Sequence, residues 1–289
     1  MYPPKFDYVA PESLAEALKL LAQHGEEAKI LAGGQSLIPL LKLRFASPTL
    51  LIDLNRVPGL NSIEETDSEL RIGAMARHAD LANSATLKAR YPAMATAAPL
   101  ISDPLVRNLG TIGGSLAHAD PSGDWGSVML AMGAKLVATS QAGERVIPIE
   151  SFFQGIFQSA LKPNEILTQI RVPRFKGKSG GTYLKLERKV GDFATVGVAV
   201  NVTMSNGHIK SAGIGLTAVG SQNIKATAAE KALEGATPGD EAFKKAAALA
   251  AEAAQPNSDV RGSADYKRHI VNVYVQRGLA RALEIARSA

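Results

Sequence analysis

Two glycine pairs, each trailed by a serine, constrain the folding of this chain more than any other feature. The first reads Ala32-Gly33-Gly34-Gln35-Ser36-Leu37 and the second Gly110-Thr111-Ile112-Gly113-Gly114-Ser115. Glycine lacks a Cβ and takes φ > 0 without strain. Adjacent glycines therefore let successive backbone N–H groups turn toward one point, which forms a concavity for an anion. A serine hydroxyl beside them adds a donor. Each pair follows an apolar stretch that reads as a strand delivering it. Two such concavities suit a ligand with two phosphates, such as a dinucleotide. The usual dinucleotide fingerprint is absent, because Gly213-Ile214-Gly215-Leu216-Thr217-Ala218 has the wrong spacing. Gly177-Lys178-Ser179 ends like a Walker loop, but Val172 stands where that loop needs its first glycine.

A chain of 289 residues makes one large domain or two ordinary ones. The net charge of +5 comes from interspersed basic and acidic residues rather than a polybasic block, which argues against a nucleic-acid partner. There is no cysteine. Disulfides, thiolate zinc sites and thiolate-held iron–sulfur clusters are thus excluded within this chain. If the protein handles electrons, it uses an organic cofactor, and any metal cluster sits on another subunit. Met1 to Lys5 shows no leader pattern, and the apolar runs fall short of the ~20 residues that span a bilayer. The expectation is a soluble, cytoplasmic protein.

Helical spacing of Leu14, Ala17, Leu18 and Leu21 follows a Ser13 cap with Glu16 at the capping-box position. Residues 29–32, 50–54 and 69–74 read as strands, 37–43 as a short helix, and 80–85 and 91–100 as helices. Beyond the second glycine pair, 125–132 reads as a helix, with 134–140 and 165–172 as strands. Elements of both kinds without βαβ alternation predict an α+β fold. Charge and glycine cluster at Phe175 to Gly181, which places a boundary between domains 1–176 and 177–289. The second domain reads as three antiparallel strands (182–188, 194–204, 209–218) followed by helices 224–234, 241–254 and 265–287. Asn206-Gly207 marks the hairpin between the last two strands.

Other residues carry weaker signals. Gly113-Gly114-Ser115-Leu116-Ala117 approaches the nucleophile elbow of serine hydrolases, but Ala117 replaces its last glycine. His118 and Asp120 alone do not make a metal site. Asp124 reads either as the cap of the next helix or as an acceptor for ligand hydroxyls. Lys185 alternates with Tyr183 and Glu187 on one strand face, a pattern that reads as solvated. Phe193 reads more readily as core than as a cofactor cover.

Taken together, the motifs resemble the FAD-binding medium subunits of the molybdenum hydroxylases. The likeness is greater to the carbon monoxide dehydrogenase type than to the flavin domain of xanthine dehydrogenase. It runs over nearly the whole chain. It is carried by Phe6-Asp7-Tyr8, Ala32 to Pro39, Ile52-Asp53-Leu54, Ile72-Gly73-Ala74, Asp103-Pro104 with Arg107, Gly110 to Ser115, and Asp120-Pro121 with Asp124. In the second domain it is carried by Lys185, Arg188-Lys189, Gly191 to Ala194, and Arg261 to Tyr266. The resemblance implies a vanillyl-alcohol-oxidase-type (PCMH) FAD domain of two subdomains, then a smaller α/β domain. It implies FAD contacts from Ala32, Gly33, Gly34, Gln35, Ser36 and Leu37, and from Thr111, Ile112, Gly113, Gly114 and Ser115, as the two diphosphate segments. Ile101, Asp124, Leu167, Lys185 and Phe193 complete the implied set, with Asp124 on ribityl or ribose hydroxyls and Leu167 and Lys185 near the isoalloxazine. Gln35 and Phe193 stand where some relatives carry His and Tyr. The resemblance further implies a large molybdenum-cofactor subunit and a small subunit with two [2Fe–2S] clusters, in a heterotrimer or its dimer. No residue of this chain is then a catalytic acid, base or metal ligand. Two other readings stay open at this point: a stand-alone flavin oxidoreductase, and a phosphate-binding scaffold without activity.

Overall fold

The computed structural model describes residues 2–288; Met1 and Ala289, the outermost residues of the two expected domains, lie outside them. The fold is α+β, built on three main sheets. The first is parallel: Leu50–Asp53 lies between Asp7–Val9 and Ala28–Leu31. The helix Leu14–His24 covers it, because Ala17, Leu18 and Leu21 fall on one face and pack against Ile52 and Leu54. Ser13 caps this helix by accepting from Glu16 N at 3.2 Å.

The second sheet is antiparallel, in the order Ile63–Glu65, Glu69–Gly73, Ile166–Pro173, Lys135–Ser140, Gly143–Pro148. A bulge between Leu167 and Gln169 breaks the register of its central strand. Such a bulge re-aims the side chains on either side of it.

The third sheet carries the strands Lys178–Leu186, Val196–Ser205 and His208–Thr217 and a fourth, Ile224–Lys225. The expected three-stranded sheet thus has one strand more. Residues 224–225 pair with Leu216 and Gly215 before the helix Thr227–Leu233 begins, so a helix from 224 is corrected to a short strand and a later helix start. The Asn206-Gly207 hairpin is as read, with φ of 51° and 81° at the two positions.

Both faces of this sheet are buried. The long helix Ala264–Ser288 closes on one face, where a Cβ on Gly180 would fall 2.0 Å from Ala282 O. The helix Asp124–Met132 closes on the other, where Cβ atoms on Gly213 and Gly215 would fall 1.8 and 2.0 Å from Ala131 O and Ser127 O. All nine residues of Asp124–Met132 are buried, because the helix is enclosed between the second and third sheets. Glycines on the sheet permit the backbone approach that brings the start of this helix against Tyr183 and Lys185.

Several expected boundaries shift. The helices read as 80–85 and 91–100 run from His78 to Asn83 and from Pro92 to Ala97, the latter continued by a 3-10 turn. The strands Asp7–Val9, Ile63–Glu65 and Gly143–Pro148 had no strong pattern in sequence. Each is an edge strand with few buried side chains, so burial imposes little apolar pattern on it.

Candidate functional site

A cavity of about 950 Å³ opens among the three sheets. Fifteen of the sixteen expected site residues line it: Ala32 to Leu37, Ile101, Thr111, Gly113, Gly114, Ser115, Asp124, Leu167, Lys185 and Phe193. Ile112 does not. Its side chain is fully buried in the core beneath, and its N–H donates to Ala76 O at 3.0 Å.

The first glycine pair leaves the strand Ala28–Leu31 as expected. Gly34 takes φ +73°, where a Cβ is strained. The N–H groups of Gly33, Gly34, Gln35 and Ser36 donate to no acceptor among the described residues. They form a strip of free donors along the cavity wall, the arrangement that receives an anion.

The second pair differs from its expectation. It follows a helix, Pro104–Leu109, rather than a strand, and it lies inside another, Ile112–His118. Thr111 is the N-cap and its Oγ1 accepts from Gly114 N at 3.1 Å. Gly113 N donates to Ala74 O at 2.9 Å and Ser115 N to Thr111 O at 3.0 Å. With Ile112 also committed, no backbone donor from 112 to 115 is free. The glycines serve close packing here: a Cβ on Gly113 would lie 2.4 Å from Ala74 Cβ. What this segment can offer a ligand is hydroxyl groups, Ser115 Oγ and the Thr111 O–H.

The two segments abut. A Cβ on Gly33 would sit 2.4 Å from Leu109 O, and one on Gly114 would sit 3.4 Å from Ala32 Cβ. Arg77 braces them by donating to Leu109 O and to Asn55 Oδ1, while Asn55 Nδ2 donates to Ala32 O at 3.1 Å.

Across the cavity lies a buried charged cluster. Asp124 Oδ1 accepts from the Tyr183 hydroxyl at 2.6 Å, and Asp124 Oδ2 accepts from Lys185 Nζ at 3.0 Å. Lys185 also donates to Leu100 O at 2.9 Å and lies 3.5 Å from Glu187 Oε2. The solvated-face reading of Tyr183 and Lys185 is therefore corrected: the Lys185 side chain is only 2% exposed, because the helix Pro92–Ala97, the turn that follows it to Leu100 and the Asp124 side chain cover that face. Nor does Asp124 cap that helix through its side chain, since it is the first helical residue, after Gly123. Burial pushes the Asp124 carboxyl above its usual range, against the pull of Lys185 and of the Tyr183 hydroxyl. Burial likewise raises the Tyr183 phenol, with Asp124 adding to the effect.

Phe193 is not core. It is 53% exposed at the cavity mouth, on a loop held by Asp192, which bonds Arg188 at 3.0 Å and Arg261 at 3.3 Å. Gly191, at φ +85°, lets this loop lie against Ser102. Sequence reasoning did not single out His78, Tyr183 or Glu187. The alternation of Tyr183 with Lys185 was the available signal for the last two; a lone histidine such as His78 offers none.

The chain belongs to the family of FAD-binding medium chains of molybdopterin dehydrogenases. Residues 4–175 match the FAD binding domain in molybdopterin dehydrogenase, and residues 181–282 match the CO dehydrogenase flavoprotein C-terminal domain. The chain is 43% identical to the carbon monoxide dehydrogenase medium chain of Hydrogenophaga pseudoflava, over 96% of this chain and 97% of that one. It is 42% identical to subunit alpha of the 6-hydroxypseudooxynicotine dehydrogenase complex of Paenarthrobacter nicotinovorans, over 99% and 97% of the two chains. Among solved structures it is similar to a carbon monoxide dehydrogenase from H. pseudoflava that lacks the Mo-pyranopterin moiety of its molybdenum cofactor. That likeness has a TM-score of 0.96 at 45% identity and covers 99% of each chain. The residues present fit an FAD: the cavity lies toward the upper end of the ~300–1,000 Å³ typical of ligand clefts, and free N–H donors, hydroxyls and a buried ion pair converge on it.

Proposed function

We propose that this chain is the flavin-bearing electron-transfer subunit of a molybdenum hydroxylase complex. It would take electrons from [2Fe–2S] clusters of a small subunit and pass them to an external acceptor such as a quinone or NAD. The observation that carries the reading is the single cavity into which the free N–H strip, the Ser115 hydroxyl and the Asp124–Lys185 pair all open. Bound FAD supplies the capacity to exchange one or two electrons. This chain's residues bind and orient it. The Gly33 to Ser36 amides and the Thr111 and Ser115 hydroxyls hold the diphosphate, and Asp124 accepts from sugar or ribityl hydroxyls. Lys185 and Leu167 flank the ring system, and Phe193 covers the mouth.

The division of labour extends to other chains. With no cysteine, this chain has no thiolate for a cluster, so the clusters reside on a partner and the molybdenum cofactor on a large subunit. The named relatives act in different dehydrogenases, and we infer that substrate choice resides in that large subunit. We assign 1–176 to FAD binding and 177–289 to a domain that closes the cavity through Lys185 and Phe193. No described helix is long and apolar enough to cross a membrane, which accords with a cytoplasmic complex.

The test is reconstitution. The purified chain is expected to bind one FAD and turn yellow, and to stay oxidised when the complex's substrate is added alone. Adding the molybdenum and iron–sulfur subunits is expected to let substrate bleach the flavin. A chain that takes up no flavin, or one that turns over substrate by itself, would contradict the reading.

A further inference from the structure

His78 lines the cavity and is 4% exposed, yet one of its two ring nitrogens has no hydrogen-bond partner among the described residues. Its Nδ1 accepts from the Trp125 indole N–H at 3.1 Å. An indole nitrogen only donates, so Nδ1 carries no proton and the neutral ring holds its proton on Nε2. Burial, with Arg77 and Arg107 adding to it, lowers the imidazole to about 4, so the ring stays neutral well below pH 7. Nε2–H is thus a fixed donor.

This donor is not sealed in the core. Among the described residues, the only enclosed side-chain polar atom without a hydrogen-bond partner is Glu187 Oε2, which lies in the ion pair with Lys185. His78 Nε2 has no acceptor either, and it belongs to the wall of the cavity. Gly110 lies against the same edge of the ring: a Cβ there would stand 2.8 Å from His78 Cδ2 and 2.9 Å from Nε2. His78 N–H donates to Gly110 O at 3.0 Å, which fixes the histidine to the segment that opens the second glycine motif. A donor that opens onto a cavity without a protein acceptor is free to be completed by a ligand bound there.

We propose that His78 is a cofactor-binding residue whose Nε2–H donates to an acceptor atom of FAD, with Trp125 as the positioning residue that sets its tautomer. The proposal rests on the FAD reading above. It adds a side-chain donor that neither glycine motif contains, and it gives Trp125 a role besides packing.

The test is a titration of FAD into the flavin-free chain, followed by flavin fluorescence, for wild type, His78→Gln and His78→Asn. The amide nitrogen of Gln reaches the position of Nε2, whereas that of Asn stops at Nδ1. His78→Asn is expected to bind about tenfold more weakly, the loss of roughly one buried hydrogen bond. His78→Gln is expected to stay within about threefold of wild type by the same reckoning. Wild type that binds no FAD defeats the cofactor reading itself. Wild type that binds while both variants are equally weakened, or neither is, overturns the His78 assignment. If a variant does not fold, ¹⁵N-histidine NMR of the wild type decides. One of the five histidines should fail to titrate near its ordinary value, show the Nε2–H tautomer, and shift when FAD is added. An Nδ1–H tautomer, or a signal indifferent to FAD, overturns the proposal.

Discussion

At Gly33-Gly34 the backbone swings through φ +73° at Gly34 and leaves the four N–H groups from Gly33 to Ser36 without an acceptor among the described residues. At Gly113-Gly114 the four N–H groups from Ile112 to Ser115 are all engaged, three by backbone carbonyls and one by the Thr111 hydroxyl. The two segments share a sequence form and touch each other, yet glycine serves a different purpose in each. In the first, freedom in φ exposes donors to the cavity. In the second, the missing Cβ lets a helix lie on Ala74 and against Ala32. A glycine pair beside a serine therefore marks a place where backbone must come close to something, and the surrounding capping residues decide whether that is a ligand or another segment.

Substitutions separate the two roles. The largest stability effect is expected at Gly113→Ala, whose Cβ would meet Ala74 Cβ at 2.4 Å and Ala74 O at 2.6 Å. Overpacking of this kind costs about 3 kcal/mol, seen in calorimetry as a Tm lower by about 6–10 °C. FAD affinity of the folded fraction should change little. Gly34→Ala inverts the pattern. The left-handed backbone costs about 1–2 kcal/mol of stability. The turned donors weaken FAD by about ten- to a hundredfold in a binding titration, because bonds to a charged group are worth about 1.5–3 kcal/mol each. Ser115→Ala is the mildest change, about tenfold in FAD affinity with Tm unchanged, since only one hydroxyl is lost. Equal losses of affinity at Gly34 and Gly113 would erase the distinction.

Local patterning made much of this molecule legible. Ser13 with Leu14, Ala17, Leu18 and Leu21 marked the first helix, and Asn206-Gly207 marked the hairpin, because caps and turns act within a few residues. Both glycine segments and the Asp124–Lys185 pair could be named, but their states could not. Lys185 looks solvated until the helix Pro92–Ala97 and its turn to Leu100, 85 residues away, are laid over its strand and Asp124 meets its amine. The Gly113 segment looks like an anion cradle until Ala74 and Ala76, on a distant turn, take its N–H groups. Phe193 looks like core until Asp192 holds its loop at the cavity mouth through Arg188 and Arg261. His78 has no local signature, since its proton is placed by Trp125. In each case the deciding contact is long-range, and alternation or spacing within one segment does not encode it.

The central claim is that the free amides of the first segment, and not those of the second, receive the cofactor's diphosphate. Amide hydrogen exchange of the chain with and without FAD addresses this directly. The account predicts new protection from Gly33 to Ser36 on FAD binding and little change from Ile112 to Ser115, whose amides are already bonded. New protection confined to 112–115, with 33–36 left exchanging as before, would contradict it.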